Sequence, residues 1–409
     1  MKGIQVRGCK STYMGMLLIA CCPLVCRGQE NVMSDQQREM VDSYNYVIGT
    51  QTFSPAYQFT KSEPLLETAR AIYDLKSTVI KFGLSPQYAG KKANGDLGNV
   101  REFDPNIHSL TDLVKDEPTY HKVLNMPFST FILWAHTFSN DNSWQDGFSE
   151  AKQKSEYQEI YNLTQYLLTT CDGTGKTFYL GNEEGDAGLR HSSSPENDAL
   201  VTPEKSQAMI DWLNTRQRAI DDAKRDTPHQ GVQVWHYTEV NYVKLAMAGR
   251  KAVVSEVLPH THVDYVSYAC YDTENDPDSL KKALSYIDTQ LPAKPGVTTK
   301  RVFIGEFGFP AYRNKPDEQD SKSRRVMQAG MSWGCPFVLY WQLYNSEVDK
   351  RGQLGYWMID DKGVKQPIYK TYDHFYSQAR RYVNDFIIQN GRPPSLEEYE
   401  KVAVVLLDK

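Results

Sequence analysis

The sequence predicts a single (β/α)8 barrel, and three observations predict it. Eight short β-rich runs recur along the chain, longer helical patterns separate them, and no Gly-rich dinucleotide turn follows the first run. The candidate strands are Tyr46–Phe53, Thr78–Phe82, Thr130–Ala135, Thr177–Asn182, Val232–Tyr237, Val263–Tyr268, Arg301–Phe307 and Phe337–Gln342. Between them the apolar spacing becomes helical, as at Glu63–Leu75, Glu150–Thr170, Pro203–Lys224, Asp278–Leu291 and Asp317–Trp333. Ser62, Thr202 and Asp276 read as helix-capping residues, because a short polar side chain there can accept a free backbone N–H of the first turn. A doubly wound sheet is the competing architecture, but Gly49-Thr50-Gln51-Thr52 lacks the glycine spacing of a dinucleotide-binding turn.

The flanks organise the rest. Lys2, Arg7 and Lys10 precede the apolar run Met14 to Val25, too short to span a bilayer but suited to the core of a signal peptide, so residues 1–28 are expected to direct export. Within it Leu18-Ile19-Ala20-Cys21 resembles a bacterial lipobox, which implies membrane attachment through a lipidated Cys21 at the cell surface or in the periplasm. Ordinary cleavage near Gly28-Gln29, releasing a soluble secreted protein, is the alternative. A polar linker is expected over 29–41, the barrel over 42–388 and a helical tail over 389–409, the tail following Arg392-Pro393-Pro394-Ser395. Past the export segment only Cys171, Cys270 and Cys335 remain, an odd count that fits neither a disulfide framework nor a zinc site and reads as buried thiols. The formal net charge of -5 is spread among interspersed acids and bases, which gives no basic stripe for nucleic acid.

In a parallel barrel the site lies where strands end, so charged residues there are informative. Two such places stand out. Phe178-Tyr179-Leu180 runs into Gly181-Asn182-Glu183-Glu184-Gly185-Asp186, an amide and three acids, on strand four. Val302-Phe303-Ile304-Gly305-Glu306-Phe307-Gly308 sets one carboxylate inside an apolar strand, on strand seven. An ion pair to a Lys or Arg would account for Glu306 structurally, since a buried carboxylate needs a compensating partner. Strands four and seven face each other across a barrel mouth, and two carboxylates there suit glycoside hydrolysis. One protonates the leaving oxygen while the other attacks or activates water. The 26 Tyr and 7 Trp exceed what a core requires, and aromatic faces stack on sugars, although most of them will be core.

From Tyr46 to Tyr372 the chain resembles the clan A glycoside hydrolases. Asn182-Glu183 looks like the Asn-Glu pair of that superfamily's strand four, Gly305-Glu306-Phe307-Gly308 like its nucleophile strand, and Tyr340-Trp341 like the strand-eight Trp that floors the sugar site. Strand six resembles the strand carrying a Tyr that hydrogen-bonds the nucleophile, with Tyr271 the candidate and Tyr268 the alternative. The resemblance implies a retaining, two-carboxylate mechanism on an oligo- or polysaccharide with no cofactor, Glu306 as nucleophile, and Asn182 and Trp341 on the sugar. His236 and His136, at the ends of strands five and three, would line the same rim with Asp186.

The chain departs from the pattern twice. Glu184 replaces the usual Pro after Asn-Glu, and the run also resembles a branch reading Asn-Trp-Glu-Gly-Asp, in which Glu184 is the counterpart, so Glu183 and Glu184 both stand as acid/base candidates. Neighbouring residues on an extended strand face opposite ways, so only one can enter the cleft unless the backbone bulges. On strand two, Lys81-Phe82-Gly83 lacks the Arg many members place there, so contacts orienting the nucleophile are expected from elsewhere. These departures leave open a catalytically inactive barrel that binds carbohydrate. Metal-dependent hydrolysis fits poorly, because His260-Thr261-His262 precedes strand six instead of ending a strand. Gly173-Thr174-Gly175-Lys176-Thr177 lacks phosphate-loop spacing and feeds a strand, so it reads as a turn.

Overall fold

The computed structural model describes residues 34–408 except 86–88, 92–96, 101–103, 139–142, 193, 196 and 298. The export segment and Cys21 lie outside the described residues.

Eight parallel strands close into a barrel in chain order, the first pairing with the last: β1 (Ile48–Gln51), β2 (Val79–Leu84), β3 (Thr130–Ala135), β4 (Thr177–Gly181), β5 (Gln233–Val240), β6 (Tyr265–Ala269), β7 (Val302–Phe307) and β8 (Val338–Tyr340). All eight lie where the alternation placed them. Helices cover the outside, including Pro64–Asp74, Glu150–Thr170, Pro203–Asp226, Pro277–Gln290 and Pro316–Trp333. The interior is filled by aromatic rings meeting edge to face, among them Tyr179, Tyr265, Phe303 and Phe337. At Gly181 an added Cβ would sit 2.4 Å from the Tyr237 ring, so β4 must end in glycine for that ring to cross the barrel.

Thr202 and Asp276 cap their helices by accepting the N–H of Lys205 and Asp278. Ser62 does not. The helix expected after it starts at Pro64 with Glu63 as its cap residue, and the Ser62 hydroxyl instead accepts from Arg70. Part of the stretch expected to be a polar linker is a helix, Asp35–Ser43, opened by a reciprocal capping box between Ser34 and Gln37, with Val41 buried beneath it. The tail forms a helix, Leu396–Leu406, that packs on the barrel exterior. Its Tyr399 is buried and donates to the Tyr46 carbonyl at the barrel's amino end. Cys171, Cys270 and Cys335 are buried free thiols. Gly173 and Gly175 form a turn with positive φ ahead of β4, on the side opposite the strand carboxyl ends.

Candidate active site

A cavity of about 560 Å³ opens at the carboxyl ends of the strands. Its wall holds Glu183, Glu184 and Glu306, together with Glu347, Tyr271, His136 and the rings of Phe53, Trp134, Trp341 and Tyr356. Two of the three acids singled out on strand four and the one on strand seven therefore reach one pocket.

Glu306, near the end of β7, is almost fully buried, with only an edge reaching the cavity. Its Oε1 accepts from Lys81 Nζ at 2.9 Å and its Oε2 from the Tyr271 hydroxyl at 3.3 Å. Tyr271 is thus the tyrosine on this carboxylate. Tyr268 is not: it is buried on β6, and its hydroxyl serves Asp272 and Thr273. Lys81, on β2, is completely buried and occupies the place where an Arg was missed. Its ammonium bridges Glu306 and Glu239, lies 3.2 Å from the Gly305 carbonyl and sits 4.6 Å from the centre of the Trp134 ring. The contact that orients Glu306 comes from strand two itself, contrary to the expectation. The ion pair considered as a structural account of Glu306 exists, made by Lys81 from behind the cavity wall.

Burial pushes the Glu306 carboxyl upward, the Lys81 ammonium pulls it down, and the nearby Glu239 pushes it up again, which leaves its pKa raised to about 8. For Lys81, burial works against the charge, yet Glu239 and Glu306 outweigh it and hold its pKa above the ordinary lysine value. The Lys81 ammonium, which keeps its proton and lies 2.9 Å away, is the group that favours the ionised form of Glu306 against this burial.

On β4 the strand ends at Gly181, and Glu184 takes a left-handed conformation, φ 33° and ψ 56°, at the start of a short helix, Gly185–Arg190. That turn breaks the strand alternation, which is why Glu183 and Glu184 both line the cavity instead of only one. Glu184 is open to cleft solvent but hemmed in by protein, and burial with the charges of Glu239, Glu183 and Glu347 raises its pKa to about 7. Glu184 is also among the groups acting on Glu306. Glu183 additionally faces a side recess lined by His136, Asn182, Trp212 and Arg216. Asn182 is buried there and donates to the Glu183 carbonyl. Trp341, following β8, stacks with Phe53 at 5.3 Å and donates its indole N–H to Glu347, which anchors the ring in the cavity wall.

Two expected rim residues are not at the rim. Asp186 is fully buried under the short helix, where its oxygens accept the N–H groups of Asn241, Tyr242 and Val253 and it pairs with Arg190. It ties loops together and does not face the cavity. His236 is buried midway along β5, on the side facing the helix that carries Arg216, and burial lowers its pKa well below the usual value. The strand was expected to stop at Tyr237, but it continues through Thr238 and Glu239, both buried. The same misreading hid Glu239. Its polarity marks a strand end in sequence, whereas the barrel buries it against Lys81 and Ser267. His260 and His262 are exposed ahead of β6 and line no part of this cavity.

The closed parallel barrel with its site at the strand carboxyl ends has the fold of the clan A glycoside hydrolases. A GH5_18 variant from Bifidobacterium longum subsp. longum, in complex with Manb1-4GlcNAc, is similar over 85% of this chain and 80% of that one, at 13% identity and TM-score 0.53. A GH5_18 variant from Streptomyces cattleya with the same ligand gives TM-score 0.52 at 13% identity, over 88% and 90% of the two chains. The chain spans 64% of the length of a family 39 glycoside hydrolase from Bacteroides cellulosilyticus, at 11% identity and TM-score 0.48. No protein-family model matches the chain, and no curated protein matches it.

Proposed function

We propose that this protein is a retaining glycoside hydrolase that cleaves a glycosidic bond in an oligo- or polysaccharide. The observation that carries the reading is that Glu306 and Glu184, from opposite sides of the barrel, line one cavity in different electrostatic settings. Glu306 lies against an ammonium and is set to be the ionised nucleophile. Glu184 makes no ion pair among the described residues and sits among carboxylates that favour its protonated form, as a general acid requires. In the first step Glu306 attacks the anomeric carbon as Glu184 gives its proton to the departing oxygen. In the second, Glu184 takes a proton from water, which displaces Glu306 with overall retention. Once the glycosyl–enzyme ester forms, the Glu306 charge is gone and the Glu184 pKa falls, which suits its change from acid to base. Trp341, Phe53 and Trp134 supply the aromatic surface for the ring, and Tyr271 holds Glu306 in line. The solved GH5_18 relatives carry Manb1-4GlcNAc and GlcNAc, which supports a carbohydrate in this cavity.

The test is a panel of activated 2-deoxy-2-fluoro glycosides followed by peptide mass spectrometry. Stoichiometric labelling of Glu306 is expected, together with loss of turnover in Glu306→Gln. A protein that binds sugars by calorimetry but gives neither label nor product across the panel is a sugar-binding barrel, and the proposal falls. The amino-terminal segment supports export with Cys21 as the lipid-bearing residue. Metabolic labelling with radioactive palmitate is expected for the full chain and not for Cys21→Ala.

A further inference from the structure

Glu239 is a fully buried carboxylate on β5 that does not reach the cavity, yet it accepts from both the lysine that holds Glu306 and the backbone of Glu184. Its Oε2 accepts from Lys81 Nζ at 3.1 Å and from the Ser267 hydroxyl of β6 at 2.8 Å. Its Oε1 accepts the backbone N–H of Glu184 at 2.9 Å. Lys81 in turn holds Glu306. A continuous chain of contacts, Glu306 to Lys81 to Glu239 to the Glu184 backbone, therefore crosses the barrel beneath the cavity floor and joins the two carboxylates proposed to do the chemistry. The packing around it is tight: at Gly305 an added Cβ would lie 1.8 Å from Ser267 Oγ, so no larger residue fits beside this strut.

We infer that Glu239 is a positioning residue, resting on the proposed hydrolase reading, that fixes the Lys81 ammonium on Glu306 and holds Glu184 in its left-handed turn facing the cleft. Two physical facts make the arrangement more than filler. A lone ammonium and carboxylate would satisfy each other without Glu239, and a third buried charge is costly unless its contacts are used. The left-handed backbone at Glu184 is unfavourable for a residue with a side chain and persists only where surroundings hold it, here an acceptor aimed at its N–H. Glu239 also sets the field at the site. Glu184 is faced by Glu239 from β5, Glu306 from β7, Lys81 from β2, Glu347 from beyond β8, its neighbour Glu183, and Tyr242 after β5. Glu239 itself is faced by Lys81, Glu306, Ser267 and Tyr237. Removing its negative charge therefore makes both Glu184 and Glu306 easier to ionise.

Glu239→Gln keeps the shape and an acceptor for the Glu184 N–H while removing the charge. On any glycoside the wild type cleaves, kcat is expected to fall about 10- to 100-fold with KM changed less than about threefold. Both limbs of the pH profile are expected to move toward acid, because each limb belongs to a carboxylate that Glu239 repels. Ser267→Ala, which removes one hydrogen bond and no charge, is expected to lower kcat less and leave both limbs in place. It decides the matter if Glu239→Gln does not fold: wild-type kcat in Ser267→Ala then overturns the inference. If Glu239→Gln folds and keeps wild-type kcat and limbs, the inference is wrong while the hydrolase reading stands. A wild type that cleaves nothing on the panel removes the hydrolase reading instead. In that case a ¹³C-carboxylate titration of Glu184 decides, with an acidward midpoint in Glu239→Gln supporting the coupling and an unmoved midpoint overturning it.

Discussion

Glu184 shows how one backbone angle decides chemistry. Had β4 continued extended, the carboxylates of Glu183 and Glu184 would point to opposite faces, but φ 33° turns the second into the same cleft. Of the two, Glu184 has the setting of an acid, its pKa raised to about 7 by burial and then by Glu239. Glu184→Gln is accordingly expected to abolish cleavage of substrates with poor leaving groups while leaving glycosyl-enzyme formation from activated ones. Added azide should then restore turnover and yield a glycosyl azide of retained configuration, whereas Glu183→Gln should do neither. Glu306 was legible at the cavity because it interrupts an apolar strand, and Trp341 and Tyr271 through the family resemblance, whereas Asn182 lies in the side recess and not in the cavity wall. The roles of Lys81 and Glu239 were not legible: Lys81 was placed inside its strand but given no partner, and the strand carrying Glu239 was ended at Tyr237, because a buried charge is explained only by its partner across the barrel. Asp186 illustrates the converse error, an acid in a rim motif that serves backbone N–H groups.

Elements hold the site through their ends. The short helix Gly185–Arg190 is too brief to be stable alone, and Asp186 pins it by accepting three backbone N–H groups from two other segments. Asp186→Ala leaves those three N–H groups buried without their acceptor, while Arg190 keeps Asp198 and the Lys251 carbonyl, at a cost of about 1–3 kcal/mol per unsatisfied group. Chemical denaturation should show that loss. Activity should fall through a misplaced Glu184, with the aromatic sugar surface intact. Helix starts were readable wherever a small polar residue could cap, as at Thr202 and Asp276. At Ser62 the proline two residues on moved the start by its fixed φ, and the cap position fell to Glu63. The Asp35–Ser43 helix was overlooked because its sequence is nearly all polar. Its Ser34–Gln37 capping box was the available signal.

At the scale of the whole molecule, barrel closure brings Lys81 to Glu306 across 225 positions of sequence. The same closure buries several carboxyls, and the pH dependence of stability follows. Burial raises the pKa of Glu274 to about 8, of Glu400 to about 8 and of Glu184 to about 7, in each case above the unfolded value. The native state therefore binds more protons than the unfolded state between the ordinary carboxylate range and about pH 8, so stability falls as pH rises through that window. Two groups act the opposite way. Buried His236, kept neutral in the fold, adds stability as pH rises through the ordinary histidine range, and Glu398, held at about 2 chiefly by Arg392, loses its contribution only in acid. The raised carboxyls outnumber them in this window. Thermal unfolding is expected at a higher temperature near pH 5.5 than near pH 8.5. A midpoint that rises across this interval would show that these groups are ionised and compensated in the native barrel.

The order of strands and helices, the barrel class and the positions of the acids at strand ends were determined by the sequence alone. Alternation, capping and apolar spacing are local properties, each set by a few neighbouring residues. Which acids face the cavity, which are buried struts, and that Lys81 of strand two holds Glu306 were decided only by the tertiary structure. Those outcomes depend on distances between residues far apart in the chain, and on one turn whose conformation its own side chains do not favour.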